Sequence, residues 1–130
     1  MVQGVLRVRS YSINGWMGGR PLAGQDHYRV FEKEADIVDP SVSEAWVFID
    51  EHERSINDGW FAFDMDGYRG FLDVPASRHN NRFTLAFADA HAEGWKLNDS
   101  RTIQWSTLPI PNSPRNTDWE RMQLATSSLR

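Results

Sequence analysis

Apolar and polar residues alternate with a period of two through much of this chain, and turn-forming residues interrupt the alternation at short intervals. A period of two sends successive side chains to opposite faces, the pattern of a half-buried strand. Val5 to Ser12 alternates in this way and predicts a first strand. Residues 13 to 27 hold four glycines and a proline with few periodic apolar positions, so a loop is expected there. His27 to Phe31 predicts a short strand, and Ala35 to Pro40 a turn. Ala45 to Ile49 predicts a buried strand, followed by a polar excursion from Asp50 to Asp58. Gly59 to Met65 alternates again and stops at Asp66-Gly67, a strong turn signal. Phe83 to Ala88 and His91 to Leu97 predict a hairpin across Asp89-Ala90. Residues 105 to 116 contain three prolines and are expected to wrap the surface.

One segment carries helical spacing instead. Thr117-Asp118-Trp119-Glu120 has the spacing of a capping box with acidic residues in the first turn. Trp119, Met122 and Ala125 then share one face, with Trp119 as a core anchor. The expected fold is α+β and mostly antiparallel β, with a short C-terminal helix, in a single domain spanning residues 1–130.

Composition narrows the function classes. A chain of 130 residues with 40% hydrophobic side chains suits one core, and six Trp, seven Phe and three Tyr make that core bulky. A net charge of -4 and the lack of a Lys/Arg stripe argue against a nucleic-acid surface. Without cysteine there is no disulfide, thiolate nucleophile or zinc-thiolate centre. No apolar run approaches the roughly 20 residues that span a bilayer, and Met1 to Gly4 runs straight into the first strand without a secretory leader. A soluble chain without membrane insertion is therefore expected.

Three blocks carry a resemblance. His79 is followed by nine residues and then Asp89, within His79-Asn80-Asn81-Arg82-Phe83-Thr84-Leu85-Ala86-Phe87-Ala88-Asp89-Ala90. Upstream lie Val47 to Phe61, which includes Asp50-Glu51 and Ser55-Ile56-Asn57-Asp58-Gly59, and Arg9 to Gly18, which includes Tyr11-Ser12-Ile13-Asn14-Gly15. In this order they resemble the H-X9-DG group of pilin-like and type II secretion pseudopilin-like proteins of planctomycete and verrucomicrobial bacteria. The resemblance implies a pseudopilin-head-like sheet, export to the periplasm or cell surface, and protein subunits of a pilus-like or secretion assembly as partners. The chain looks like the globular head without the N-terminal prepilin helix. One face of its sheet is then expected to expose apolar surface or to support self-association. Arg82-Phe83-Thr84-Leu85 is similar to a pilin processing site but lacks the preceding glycine and the following apolar helix. Ala90 stands where the family signature has glycine, and alanine resists the left-handed conformation that glycine accepts. A changed turn with a retained Asp89 carboxylate is expected.

The candidate chemistry lies in acidic loops. Asp50 and Glu51 follow one predicted strand, Asn57 and Asp58 close the loop after it, and Asp89 leaves another. If those two strands are neighbours, Asp50 and Asp89 reach one end of the sheet. Several carboxylate and amide oxygens there suit calcium, a hard cation with tolerant geometry. The resemblance adds that some pseudopilins hold calcium in a head loop. The metal candidates are Asp58 and Asp89, then Asp50, Glu51 and Asn57. The competing explanation is turn chemistry, because Asp-Gly and Asn-Asp-Gly form turns without any ion. Asp66 belongs to that second class.

His79 and His91 flank the Phe83 to Ala88 strand and are placed to approach Asp89. With carboxylates they suit zinc or manganese, or activate a metal-bound water. The simpler role for His79 is structural, fixing the Asn80-Asn81 turn. His52 is expected to be solvated, and His27 carries no signal. No nucleophile elbow, His-Glu-x-x-His helix, phosphate loop or dinucleotide fingerprint occurs. Three functions follow, led by a pseudopilin-like structural domain with a calcium site that orders its loops. The second is a small calcium- or other metal-dependent hydrolase of esters or lactones, with Trp16, Trp60 and Trp95 lining an acyl pocket. The third is a surface- or carbohydrate-binding module.

Overall fold

A computed structural model describes residues 10–67 and 69–130. Its framework is a five-stranded sheet in the order β3-β1-β2-β4-β5. The strands are β1 (Tyr11–Asn14), β2 (Trp46–Asp50), β3 (Trp60–Phe61), β4 (Arg82–Phe87) and β5 (Ala92–Lys96). β1 pairs antiparallel with β2, β2 with β4 and β4 with β5, while β3 runs parallel to β1. Three short helical elements complete the α+β fold: α1 (Arg78–Asn81), α2 (Ser100–Ile103) and the C-terminal α3 (Thr117–Thr126).

Most predicted elements appear, with shifted ends. The first predicted strand lies largely outside the described residues, and β1 continues through Asn14 into the expected loop. It does so because β3 supplies partners: Ile13 N–H donates to the Gly59 carbonyl at 2.9 Å and Gly15 N–H to that of Phe61 at 3.0 Å. The strand expected over Gly59 to Met65 shrinks to two residues. Beyond Phe61 the Ala62 N–H donates to the Asp73 carboxylate at 2.7 Å, which removes it from any ladder. The alternation survives as burial, with Phe61, Phe63 and Met65 all inside. His27 to Phe31 forms two isolated bridges, Tyr28 to Leu129 and Phe31 to Met17, rather than a strand. The turn expected at Ala35 begins with a 3-10 turn at Glu34–Asp36. The hairpin of β4 and β5 forms across Asp89-Ala90 as expected.

The inner face of the sheet packs on α3 and the long connections. Trp46, Ile49, Phe61, Phe83, Leu85, Phe87 and Trp95 join Trp119, Met122 and Ala125 in one core. Trp46 Nε1 donates to Thr126 Oγ1 at 2.8 Å, and Asn14 Nδ2 donates to the Trp46 and Thr126 carbonyls, so buried polar groups lock the helix end to the sheet. Deleting the fully buried Trp46 ring by Trp46→Ala would cost about 3–5 kcal/mol. The helix cap lies one residue before the predicted one, at Asn116. Asn116 Oδ1 accepts from the N–H groups of Asp118 and Trp119, the usual service of an N-cap side chain. The buried Asp118 carboxylate instead accepts from the Asn98 and Asp99 backbone.

Candidate functional site

Strand direction decides which predicted site residues can meet. β2 and β4 are neighbours, but they are antiparallel, with Trp46 opposite Phe87 and Ile49 opposite Leu85. Asp50 therefore lies at one end of the sheet and Asp89, just past Phe87, at the other. The spacing between His79 and Asp89 has the same explanation. His79 precedes β4 and Asp89 follows it, so the six residues of the strand, about 20 Å of extended chain, keep them apart. His79 is exposed, without a side-chain hydrogen bond among the described residues, and does not fix the turn beside it. That turn is held in left-handed backbone at His79, Asn80 and Asn81, with φ of 54, 63 and 62°. The expectations that Asp50 and Asp89 share one end of the sheet and that His79 approaches Asp89 are corrected by this register.

At the Asp50 end the acids are structural. Asp50 pairs with Arg78 at 2.6 Å, and Arg78 also reaches Glu53 at 3.4 Å. Glu51 is completely buried. Its carboxylate accepts the hydroxyl of Ser12 on β1 and that of Ser55 at 2.8 Å. Ser55 Oγ in turn accepts the Val74 N–H at 3.2 Å. Burial pushes the Glu51 carboxyl up to about 7; the serine hydroxyls pull the other way, and the nearby Asp73 and Asp58 carboxylates add to the rise. Asp73 is buried as well, and loss of solvation raises it to about 6 against the pull of the Ala62 N–H, with Asp58 again adding to the rise. Asp58 Oδ1 accepts the Trp60 N–H at 2.8 Å and so shapes the entry to β3. Asn57 is exposed. Asp73 escaped the sequence reasoning, although an aspartate inside Phe71-Leu72-Asp73-Val74 is itself a sign of a buried carboxylate.

At the other end an imidazole sits between two carboxylates. His91 Nδ1 hydrogen-bonds Asp89, and His91 Nε2 meets Glu93 at 2.7 Å. Trp95 Nε1 donates to the other Glu93 oxygen at 2.9 Å, while the ring of His91 stacks on Phe87 at 4.5 Å. Hydrogen bonds donated to Glu93 and then to Asp89 raise the imidazole pKa, and His91 lowers both carboxyls. With both nitrogens facing carboxylates, the imidazolium is favoured and neither nitrogen is open to take a proton from water. His91 is a clamp for the hairpin, not the base of the hydrolase alternative. Ala90 adopts φ 76°, so the turn keeps the left-handed geometry that glycine would take, contrary to the expected change.

The residues therefore do not fit a shared calcium centre. No group of three or more carboxylate or imidazole side chains among the described residues comes together to hold a metal ion. Asp50, Asp58, Glu51 and Asp89 already serve Arg78, Trp60, the two serines and His91. The tryptophans separate too: Trp16 and Trp60 line one cleft, while Trp95 borders another with Arg121 stacked on its ring at 3.9 Å.

The outer face of the sheet carries partly exposed apolar side chains. Ile13 lies opposite both Phe48 and Trp60, Phe48 opposite Ala86, and Ala86 opposite Ala92. Directly opposed residues project to the same side, so Trp60, Ile13, Phe48, Ala86 and Ala92 form an apolar row across all five strands. Phe48 is 48% and Trp60 40% exposed, and Tyr11, two residues along β1, is 50% exposed. Comparison with family models, with curated proteins and with solved structures finds no match to this chain.

Proposed function

We propose that this domain is a pseudopilin-like assembly head whose open sheet face packs against a second copy of the chain. The apolar row of Trp60, Ile13, Phe48, Ala86 and Ala92 carries the reading, because solvent-facing strand positions ordinarily hold polar residues. The sequence resemblance supports it. Its three blocks supply β1, β2, β3 and β4, four contiguous strands, and with them the four largest members of the exposed patch, Tyr11, Ile13, Phe48 and Trp60. The resemblance thus concerns the sheet as a surface more than a catalytic centre. No helix among the described residues is long and apolar enough to cross a membrane. An exported protein held in a pilus-like or secretion assembly is the setting this reading implies.

Sedimentation velocity over a rising concentration series tests it. Concentration-dependent dimers that vanish in Phe48→Glu, at unchanged melting temperature, are expected. A strictly monomeric protein up to millimolar concentration, or dimers indifferent to Phe48→Glu, would remove the face as a self-packing surface.

A further inference from the structure

A cleft of about 500 Å³ opens beside the β1–β3 edge, between the Gly15–Leu22 segment and the chain from Trp60 to Phe63. That volume lies in the ordinary range for small-molecule sites. Its accessible apolar wall is Leu22 and the 40% exposed Trp60, over a floor of the buried Trp16 and Phe63. Trp16 is fixed from behind, since its Nε1 donates to the Phe63 carbonyl at 2.9 Å. Glycine keeps one wall bare: a Cβ on Gly19 would stand 2.3 Å from the Gly15 carbonyl oxygen and 3.5 Å from the Trp60 ring. Arg20 is the one charged residue among the described lining residues. It is exposed, in a protein of net charge -4, and has no carboxylate partner among the described residues. Arg78, Arg101 and Arg115 pair with acids within 2.7 Å, and Arg69 lies 3.7 Å from Asp64.

We infer that this cleft binds small amphiphilic carboxylates, with the acyl or aryl body against Leu22 and Trp60 and the carboxylate on the Arg20 guanidinium. The planar guanidinium offers two parallel N–H donors to a carboxylate, a match that an ammonium or a neutral donor does not give. Apolar contact supplies the rest, so affinity rises with chain length, by up to about fourfold for each methylene fully removed from water. Binding, not hydrolysis, is inferred, because no nucleophile or base lines the cleft among the described residues. The inference shares only Trp60 with the self-packing face above, and Arg20 and Leu22 lie outside that face.

Isothermal titration below micelle-forming concentrations, with hexanoate, octanoate and decanoate against decanol and decyltrimethylammonium, tests it. The expected order places decanoate first, decanol at least tenfold weaker and the cation undetectable, with affinity falling as the acid shortens. Arg20→Gln, a surface change that spares the core, should bring decanoate down to the level of decanol. Leu22→Ala should weaken both together. No heat with decanoate, equal binding of decanoate and decanol, or full decanoate binding by Arg20→Gln would each overturn the inference.

Discussion

The two ends of the sheet hold carboxyl groups whose pKa values are shifted in opposite directions. At one end Glu51 and Asp73 are buried, receive only neutral donors and are pushed up to about 7 and about 6. At the other, Asp89 and Glu93 lie at the surface around His91, and their carboxyls are held below the ordinary range while the imidazole is held above its own. The difference is solvation against pairing. A carboxylate taken out of water without a cation prefers its proton, whereas one beside an imidazole gives the proton up. Neither end needs a metal ion to account for its acids.

The sign of the pH dependence follows from the shifts. Raised folded-state values for Glu51 and Asp73 mean stability that is complete below about pH 4 and lost as pH rises through about 6 and about 7. The raised His91 likewise contributes below its ordinary 6.5, and its contribution is lost as pH rises through its folded value. The lowered Asp89 and Glu93 contribute above their ordinary 3.8 and 4.5 and are lost as pH falls through their folded values. Greatest stability is therefore expected in mildly acid solution, between about pH 4 and 5.

The largest effect should come from Glu51→Gln, which keeps hydrogen-bonding capacity and removes the charge. A rise from 4.5 to about 7 corresponds to about 3 kcal/mol as an upper bound. The variant should melt higher than the parent at pH 8, by roughly 10 °C, and equally at pH 4.5. Equal melting at pH 8 would mean that Glu51 is ionised and stabilised by a cation. Next in size is Ala90→Gly. The alanine at φ 76° carries a steric cost that glycine avoids, so the hairpin should gain about 1 kcal/mol in urea denaturation. A loss instead would show that the turn is not left-handed. Smallest is His91→Ala, which opens an exposed clamp. A modest fall in melting temperature at pH 5 that disappears at pH 9 is expected, and a fall of equal size at both would assign His91 to packing on Phe87 alone.

Much of the architecture was legible from alternation and turn chemistry. Phe83 to Ala88 and His91 to Leu97 gave the hairpin, and Trp119, Met122 and Ala125 gave the buried face of α3. The candidate site was much less so, because periodicity locates strands without giving their relative direction. Asp50 and Asp89 each leave a strand, and only the antiparallel register shows that they leave at opposite ends. The shortness of β3 was hidden because it depends on Asp73, eleven residues beyond the backbone N–H that it captures. The left-handed Ala90 contradicts local preference, and is held by hairpin closure, with the Ala90 N–H on the Phe87 carbonyl and the His91 N–H on Asp89. The outer apolar row needed the register of every strand pair, since Ile13, Phe48 and Trp60 are far apart in the chain.

The claim that these carboxyl groups find their partners within the fold, without a metal ion, is tested most directly by thermal melts from pH 4 to 8. Each melt is run in chelator and again with calcium, for the parent, Glu51→Gln, Asp58→Ala and Asp89→Ala. A ligand that binds only the native state must raise its melting temperature. The account predicts a fall in melting temperature from pH 4.5 to 8 that calcium leaves unchanged and Glu51→Gln largely removes. A calcium-specific rise near pH 7, lost in Asp58→Ala and Asp89→Ala, would contradict it.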